Sequence, residues 1–354
     1  MNLILAQGAE HTNPVNLKKI IDIINNQHTF IDQGKFYDAQ RKIYDIYGIE
    51  CHTINTYDYS VEEKYDGYSY INYEGRFFSK RLSQAIGNEG QPIEKTGHLP
   101  YMRDILLRAY EMTGCDLHGE LYIPGGISDD VTRILGCNED EAINRLSNMA
   151  ESKFPHFMLI DIRQAYGHNL TNVPHYIRRA ILQYVYDNHI KPFDKHGFIK
   201  LTEELYGDPR QEFTRIVRNG GEGIIIKRSN ALYIPGKKPA NNWIKGKKKI
   251  TYDVVIMGFN NGTGKNKSLF GSIEFGHYID GKLTKCGNAS SGLSDEIRQT
   301  IANNPDSYIG TVMEIEAIQE SIKSFRNAVF LRLRDDKDAT ECTPINIRVK
   351  DQLL

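Results

Sequence analysis

Paired cysteines are the first thing this chain lacks. Five cysteines (Cys51, Cys115, Cys137, Cys286 and Cys342) are scattered through 354 residues and none stands in a C-x-x-C pair. Neither a zinc site nor a disulfide framework is expected; the spacing fits reduced thiols of a cytoplasmic protein. No stretch approaches the ~20 apolar residues of a membrane-spanning helix, so no membrane partner is expected. The opening MNLILAQGAEH is too short for a secretory signal and has no basic n-region. An excess of one charge is missing too: 44 Lys and Arg against 45 Asp and Glu leave a net charge of -1. That excludes a protein that coats nucleic acid by bulk positive charge. Internal repeats and low-complexity tracts are absent.

What is present is a globular composition, 40% hydrophobic and 25% charged, in a chain long enough for two domains. The charge is also unevenly spread. Lys227 to Tyr252 contains eight Lys or Arg residues and no acid, a local positive face of the kind to which phosphates respond. Residues 1–58 read as a small helical segment, with one helix after Asn13-Pro14 and another over Phe36–Tyr47 that Gly48 ends. Residues 59–249 mix strands (Tyr68–Tyr73, Gly119–Ile123, Phe157–Ile162, Gly223–Lys227) with helices near 100–113, 139–153 and 174–190. One more helix is punctuated by an Asp208 N-cap, Pro209 at its first position and Gly220-Gly221 after its end. From 250 to 354 apolar and polar residues alternate between Gly/Asn turns, the pattern of a small β-barrel. The fold class expected is α+β.

Five segments carry the chemistry: Lys64-Tyr65-Asp66-Gly67, His118-Gly-Glu120, Phe157-Met-Leu-Ile160-Asp161-Ile162, Glu222-Gly-Ile-Ile-Ile-Lys227 and Trp243-Ile-Lys245-Gly-Lys247. Each alone is weak. A stray Lys-x-Asp-Gly is expected in roughly one chain in ten of this length, and Glu222 alone would more often be a solvated strand end. Lys245 and Lys247 alone would more often be edge charges that deter aggregation. Together they supply what attack on a nucleotide α-phosphorus requires. A lysine is nucleophilic only as the neutral amine, and its ordinary pKa of ~10.4 puts roughly 4–5 kcal/mol against that form at pH 7. Nearby cations reduce the cost. Lys245 and Lys247, two apart on a strand, share a face and also stabilise shifting phosphate charge. Glu120 and Glu222 suit a ribose hydroxyl and a hard divalent cation.

In this order the segments resemble motifs I, III, IIIa, IV and V of the covalent nucleotidyltransferases, the superfamily of ATP-dependent DNA ligases, RNA ligases and capping enzymes. The resemblance implies an adenylation domain of antiparallel sheets with flanking helices, followed by an OB-fold. It implies catalytic roles for Lys64, as the lysyl–AMP nucleophile, and for Asp66, Lys245 and Lys247. Glu62, which would read the adenine amino group, Tyr65, Gly67, Glu120 on the ribose, Ile160 and Lys227 would bind the nucleotide. Arg81, with Lys80 as the alternative, would bind phosphate at the nick. Glu120 and Glu222 would hold Mg²⁺ or Mn²⁺. Two positions depart from the pattern. Ser69 stands where DNA ligases usually carry arginine, which gives the motif an RNA-ligase character. Ile160 stands where an aromatic residue usually stacks on adenine.

The segment after Lys249 decides between relatives. Asp253-Val-Val-Ile-Met-Gly-Phe259 and the Lys-rich loop 260–268 look like the OB-fold of compact phage and viral ATP-dependent DNA ligases. Arg334-Asp-Asp336-Lys337 resembles motif VI, which would orient the leaving pyrophosphate. No zinc-finger cysteines are present, which disfavours the NAD-dependent ligases and leaves ATP as the AMP donor. The resemblance therefore implies a monomeric ATP-dependent DNA ligase acting on nicked duplex DNA. An RNA ligase, or a ligase tolerant of RNA strands, is the alternative. A non-catalytic nucleic-acid-binding relative is disfavoured because Lys64, both glutamates and the motif V lysines are retained.

Overall fold

The computed structural model describes residues 33–343 except 51–56, 84–88, 206, 237–241, 248–250, 265–266 and 322. The helix expected after Asn13, the Lys237-Lys238 pair, Lys248, Lys249 and Lys265 therefore lie outside the described residues. The chain divides into two compact units between Lys247 and Lys248.

Two antiparallel systems build the first unit. The smaller is a four-stranded sheet in the order β11 (Trp243–Lys247), β10 (Gly223–Arg228), β1 (Tyr59–Lys64), β9 (Glu204–Leu205). The larger runs β4 (Pro92–Glu94), β3 (Arg76–Leu82), β2 (Gly67–Tyr73), β5 (Asp116–Tyr122), β6 (His156–Ala165), β7 (His168–Asn169), with β8 (Ile199–Leu201) parallel to β6. Side chains alternate across a strand, and the smaller sheet uses this fully. Val61, Ile224, Ile226 and Ile244 point to one face and bury against Ile216 of the helix Pro209–Arg218. Every second residue, including Glu62, Lys64, Ile225, Lys227, Trp243 and Lys245, faces the other way and lines a cleft. Sequence alternation alone obscured β1, because its non-core face carries charge without being a solvent face.

The helices form where their signals stand. Asp208 accepts a hydrogen bond from Arg210 N at 2.6 Å and caps Pro209–Arg218. Gly48 at φ +67° closes Gln33–Tyr47, donating from N to Tyr44 O at 2.8 Å. That helix places Ala39 and Ile43 in the same core as the larger sheet. The expected helix at 139–153 is α-helical only over Glu139–Ser147, and the one at 174–190 turns π-helical from Tyr186 to Ile190.

The second unit is a five-stranded antiparallel sheet, β14 (Lys282–Ala289), β13 (Phe270–Ile279), β12 (Thr251–Asn261), β15 (Val312–Ser321), β16 (Ser324–Arg334). A short helix, Asp295–Ala302, buries Ile301 in its core beside Phe275 and Ile315. Register shifts in every strand pair except β12–β15 curl the sheet. Among the described residues it does not close into the expected barrel by a continuous ladder. A single parallel bridge, Ser291 to Val329, joins its two edges.

Candidate active site

The cleft of the first unit has an empty volume of about 820 Å³ including its open mouth. Register assembles its wall. Ser60, Lys227 and Trp243 form one cross-strand row, Glu62, Ile225 and Lys245 the next, and Lys64, Gly223 and Lys247 the third. Opposite them the larger sheet contributes Glu120 beside its cross-strand neighbour Ser69, together with Lys80, His118 and Ile160. Residues more than 180 positions apart are brought together by hydrogen-bond register.

At one end of the cleft lies Lys64. Its ammonium donates to Glu222, and Lys247 donates to the other oxygen of the same carboxylate. Glu222 thus gathers the expected nucleophile and one expected phosphate-binding cation. Glu120 reaches the same region and forms no hydrogen bond to another described side chain. Burial pushes its carboxyl up to about 7; Lys64 pulls it down, and Glu222 and Asp66 push it up. Burial likewise raises Asp66, with Glu222 adding to it, while hydrogen bonds from Ser128 oppose the rise. Asp66 is therefore held at the first turn of the helix Ser128–Leu135.

The other end is closed by a buried ion pair. Lys227 donates to both oxygens of Glu62, at 2.7 and 2.6 Å, and to the carbonyl of Ile160 at 3.0 Å. Its three protons are all committed. The ammonium also lies 4.8 Å from the ring centre of Trp243. Burial lowers the Lys227 pKa, against the opposing pull of Glu62 and Asp161. Glu62 is held as an acceptor at the end of a slot with Ile160, Ile225 and Trp243 in its walls. The aromatic wall comes from Trp243, not from the strand bearing Ile160.

Tyr65 packs on Tyr122 with ring centres 4.7 Å apart, and burial raises its hydroxyl pKa. Gly67 has a steric role: an ideal Cβ there would overlap the carbonyl oxygen of Leu121, so the turn after Asp66 admits only glycine against β5. Arg81 lies on β3 with its side chain outside the described residues, whereas Lys80 lines the cleft. Ser69, the departure from the expected arginine, shares a 2.9 Å hydrogen bond with His118, whose other ring nitrogen meets the Tyr233 hydroxyl at 3.1 Å. His118 is buried and its pKa falls well below the ordinary value, first through burial and then through Lys80 and Arg163. A neutral hydrogen-bonded chain thus occupies the expected place of a cation. Tyr233, and Thr202, which also lines the cleft, carried no sequence signal; His118, Trp243 and Ile225 lay inside motifs but were given no role. Arg334, Asp336 and Lys337 form their own cluster in the second unit around Asp253.

A family model described as an ATP dependent DNA ligase domain matches residues 49–247. The chain is 30% identical over 173 residues to a DNA ligase of Archaeoglobus fulgidus, covering 42% of this chain and 31% of that protein. It is 27% identical over 218 residues to DNA ligase 2 of Methanosarcina acetivorans, covering 53% and 37%. It thus spans about a third of the length of these curated relatives. Among solved structures, the one named Pmar-Lig_Pre is similar in fold, with a TM-score of 0.60 at 17% identity, covering 95% of this chain and 69% of that one. A Lig E DNA ligase, described as binding DNA with a minimal scaffold, gives a TM-score of 0.54 at 16% identity, covering 78% and 93%.

Proposed function

The chain belongs to the ATP-dependent DNA ligase family, and we propose that it seals 5′-phosphate/3′-hydroxyl nicks in duplex DNA through a lysyl–AMP intermediate. The observation that carries this reading is the Lys64–Glu222–Lys247 triad, whose Lys64 opens on one cleft with Glu120 and the locked Glu62. Glu62, an acceptor fixed by Lys227, would take the amino group of adenine, with Trp243 and Ile160 beside the ring. Before attack the Lys64 ammonium gives up a proton, and Glu222, which already accepts a hydrogen bond from it, is the acceptor at hand. The neutral Nζ then forms a bond to the α-phosphorus while the bond to the β-phosphate oxygen breaks and pyrophosphate leaves. Lys245 and Lys247 stabilise the charge that shifts during this displacement. AMP next passes from Lys64 to the 5′-phosphate at a nick, and the 3′-hydroxyl displaces it.

The carboxylates fit a hard divalent cation. Glu120 opens on the cleft without a side-chain partner, and Glu222 and Asp66 lie within its electrostatic reach. Among the described residues no cluster of three His, Cys, Asp or Glu converges as a closed cage. Mg²⁺ is usually bound by one or two carboxylates with substrate phosphates completing the shell, so Glu120 would hold it, joined by Glu222 once Lys64 or Lys247 releases an oxygen. Its chemistry there is to neutralise phosphate charge. The curled sheet of the second unit we read as an OB-fold that lies along duplex DNA, with Arg334 and Lys337 as phosphate ligands. We take the protein to act as a cytoplasmic monomer. A second reading, tolerance of RNA strands at the nick, is favoured by the neutral Ser69–His118 pair where a cation was expected.

Intact-mass measurement after incubation with Mg²⁺ and ATP tests the first step. An AMP adduct lost in Lys64→Ala is expected, and no adduct from ATP would overturn the proposal. Nicked duplexes with DNA or RNA strands then separate the two readings, since sealing confined to RNA nicks would refute the DNA assignment.

A further inference from the structure

We infer that Asp253 is the internal counter-anion of a polyphosphate clamp in the second unit, and that it must release Arg334 and Lys337 before they can hold phosphate. The inference rests on the proposed role of those two cations as phosphate ligands, and it adds a residue to which no role attached. Asp253 stands near the start of β12, Arg334 ends β16, and Lys337 follows in the next turn. Between those strands Glu314 of β15 faces both Asp253 and Arg332. Arg332 Nε donates to Glu314 at 2.7 Å, which leaves Asp253 to the other two cations. Its Oδ1 accepts from Arg334 Nη1 at 2.9 Å and its Oδ2 from Lys337 Nζ at 2.6 Å. Each oxygen takes a different cation, across 81 and 84 positions of sequence.

The rest of the Arg334 guanidinium is committed elsewhere. Nε and Nη2 form a fork on Asp336, at 2.7 and 2.9 Å. That fork fixes the plane of the group and leaves Nη1 aimed at Asp253. An arginine and a lysine converging on the two oxygens of one anion is how these side chains hold phosphate, and Asp253 supplies the oxygens. The four charges, two cations (Arg334, Lys337) and two anions (Asp253, Asp336), sum to zero. The cluster therefore exerts little net pull on an incoming anion until Asp253 moves aside, after which one positive charge is uncompensated. Arg334, Asp253 and Lys337 are 18%, 19% and 25% exposed, so the clamp is open to solvent. Binding is an exchange of carboxylate for phosphate, which keeps affinity low and release easy.

Pyrophosphate binding to the full chain, measured by titration calorimetry without nucleotide, tests this. Asp253→Asn should bind pyrophosphate about tenfold more tightly than the unaltered chain, as expected when a charge-assisted competitor is removed. The gain should vanish in Asp253→Asn/Lys337→Gln and survive in Asp253→Asn/Lys245→Ala, which separates this clamp from the cleft. Asp253→Ser serves as a second neutral variant should the first not fold. Equal or weaker binding in a folded neutral variant, or a gain that survives loss of Lys337, would overturn the inference. Loss of the AMP adduct in the intact-mass assay would instead count against the ligase reading, so the two failures are distinguishable.

Discussion

Lys227→Met is the sharpest test of how the base end of the cleft is built. Lys227 and Glu62 are 0% and 1% exposed, and the ammonium gives all three protons to Glu62 and the Ile160 carbonyl. Removing the lysine leaves a carboxylate buried without its partner, and breaking such a pair costs about 3–5 kcal/mol. For a unit of this size, 1 kcal/mol moves the melting temperature by roughly 2–4 °C, so a drop of roughly 6–20 °C in the first unit's transition is expected. Glu62→Leu alone should cost a similar amount. The double variant Glu62→Leu/Lys227→Met should recover most of the loss, because well-packed apolar replacements of a buried pair are often neutral or stabilising. Scanning calorimetry of the four proteins gives the coupling energy directly. Singles that each cost less than ~1 kcal/mol, or losses that simply add, would refute the claim that the pair is desolvated and mutually dependent. The same variants report on function. A double variant that folds well should lose its preference for ATP over GTP in adduct formation, since the fixed acceptor is gone.

Two further outcomes follow from particular residues. Glu120 has a folded pKa near 7, above its ordinary value of 4.5; its ionisation therefore opposes folding, with the cost absent below about pH 4.5 and full above about pH 7. Glu120→Gln should accordingly stabilise the protein by about 1–3 kcal/mol at pH 8, discounted for the open side of the cleft, and by little at pH 4.5; denaturant melts at the two pH values check this, and a pH-independent gain would contradict it. Asp208→Ala should cost about 1 kcal/mol through loss of the N-cap to Arg210 N, measurable as a shift of urea midpoint without a change of slope.

The parts of this protein that could be read in sequence are those whose chemistry restricts residue type. The proposed roles of a nucleophilic lysine before an Asp-Gly turn, of carboxylates for a ribose and a hard cation, and of paired lysines on a strand leave few substitutes, so Lys64, Glu120, Glu222, Lys245 and Lys247 stood out in order. Helix punctuation was equally local, as Asp208 and Gly48 illustrate. Strand β1 was hidden because its alternation sets Val61 against Ser60, Glu62 and Lys64, and the polar face looks like a solvent face when it lines a cleft. Strand β14 and the helix Asp295–Ala302 were hidden by weak apolar periodicity, since only Cys286 and Ala289 of the strand and Ile301 with Arg298 of the helix are buried.

Composition and motif order by themselves determined the α+β class and the family, and singled out Lys64 as the proposed nucleophile, because these depend on residue type and linear sequence. Only the tertiary structure decided which charges neutralise one another. Glu62 meets Lys227 across 165 positions, Lys64 meets Glu222 across 158, and Asp253 meets Lys337 across 84. Strand register sets the first pairing directly, and it sets the other two by bringing Glu222, just before β10, and the turn after β16 beside their partners; a shift of one residue would turn each strand side chain to the opposite face.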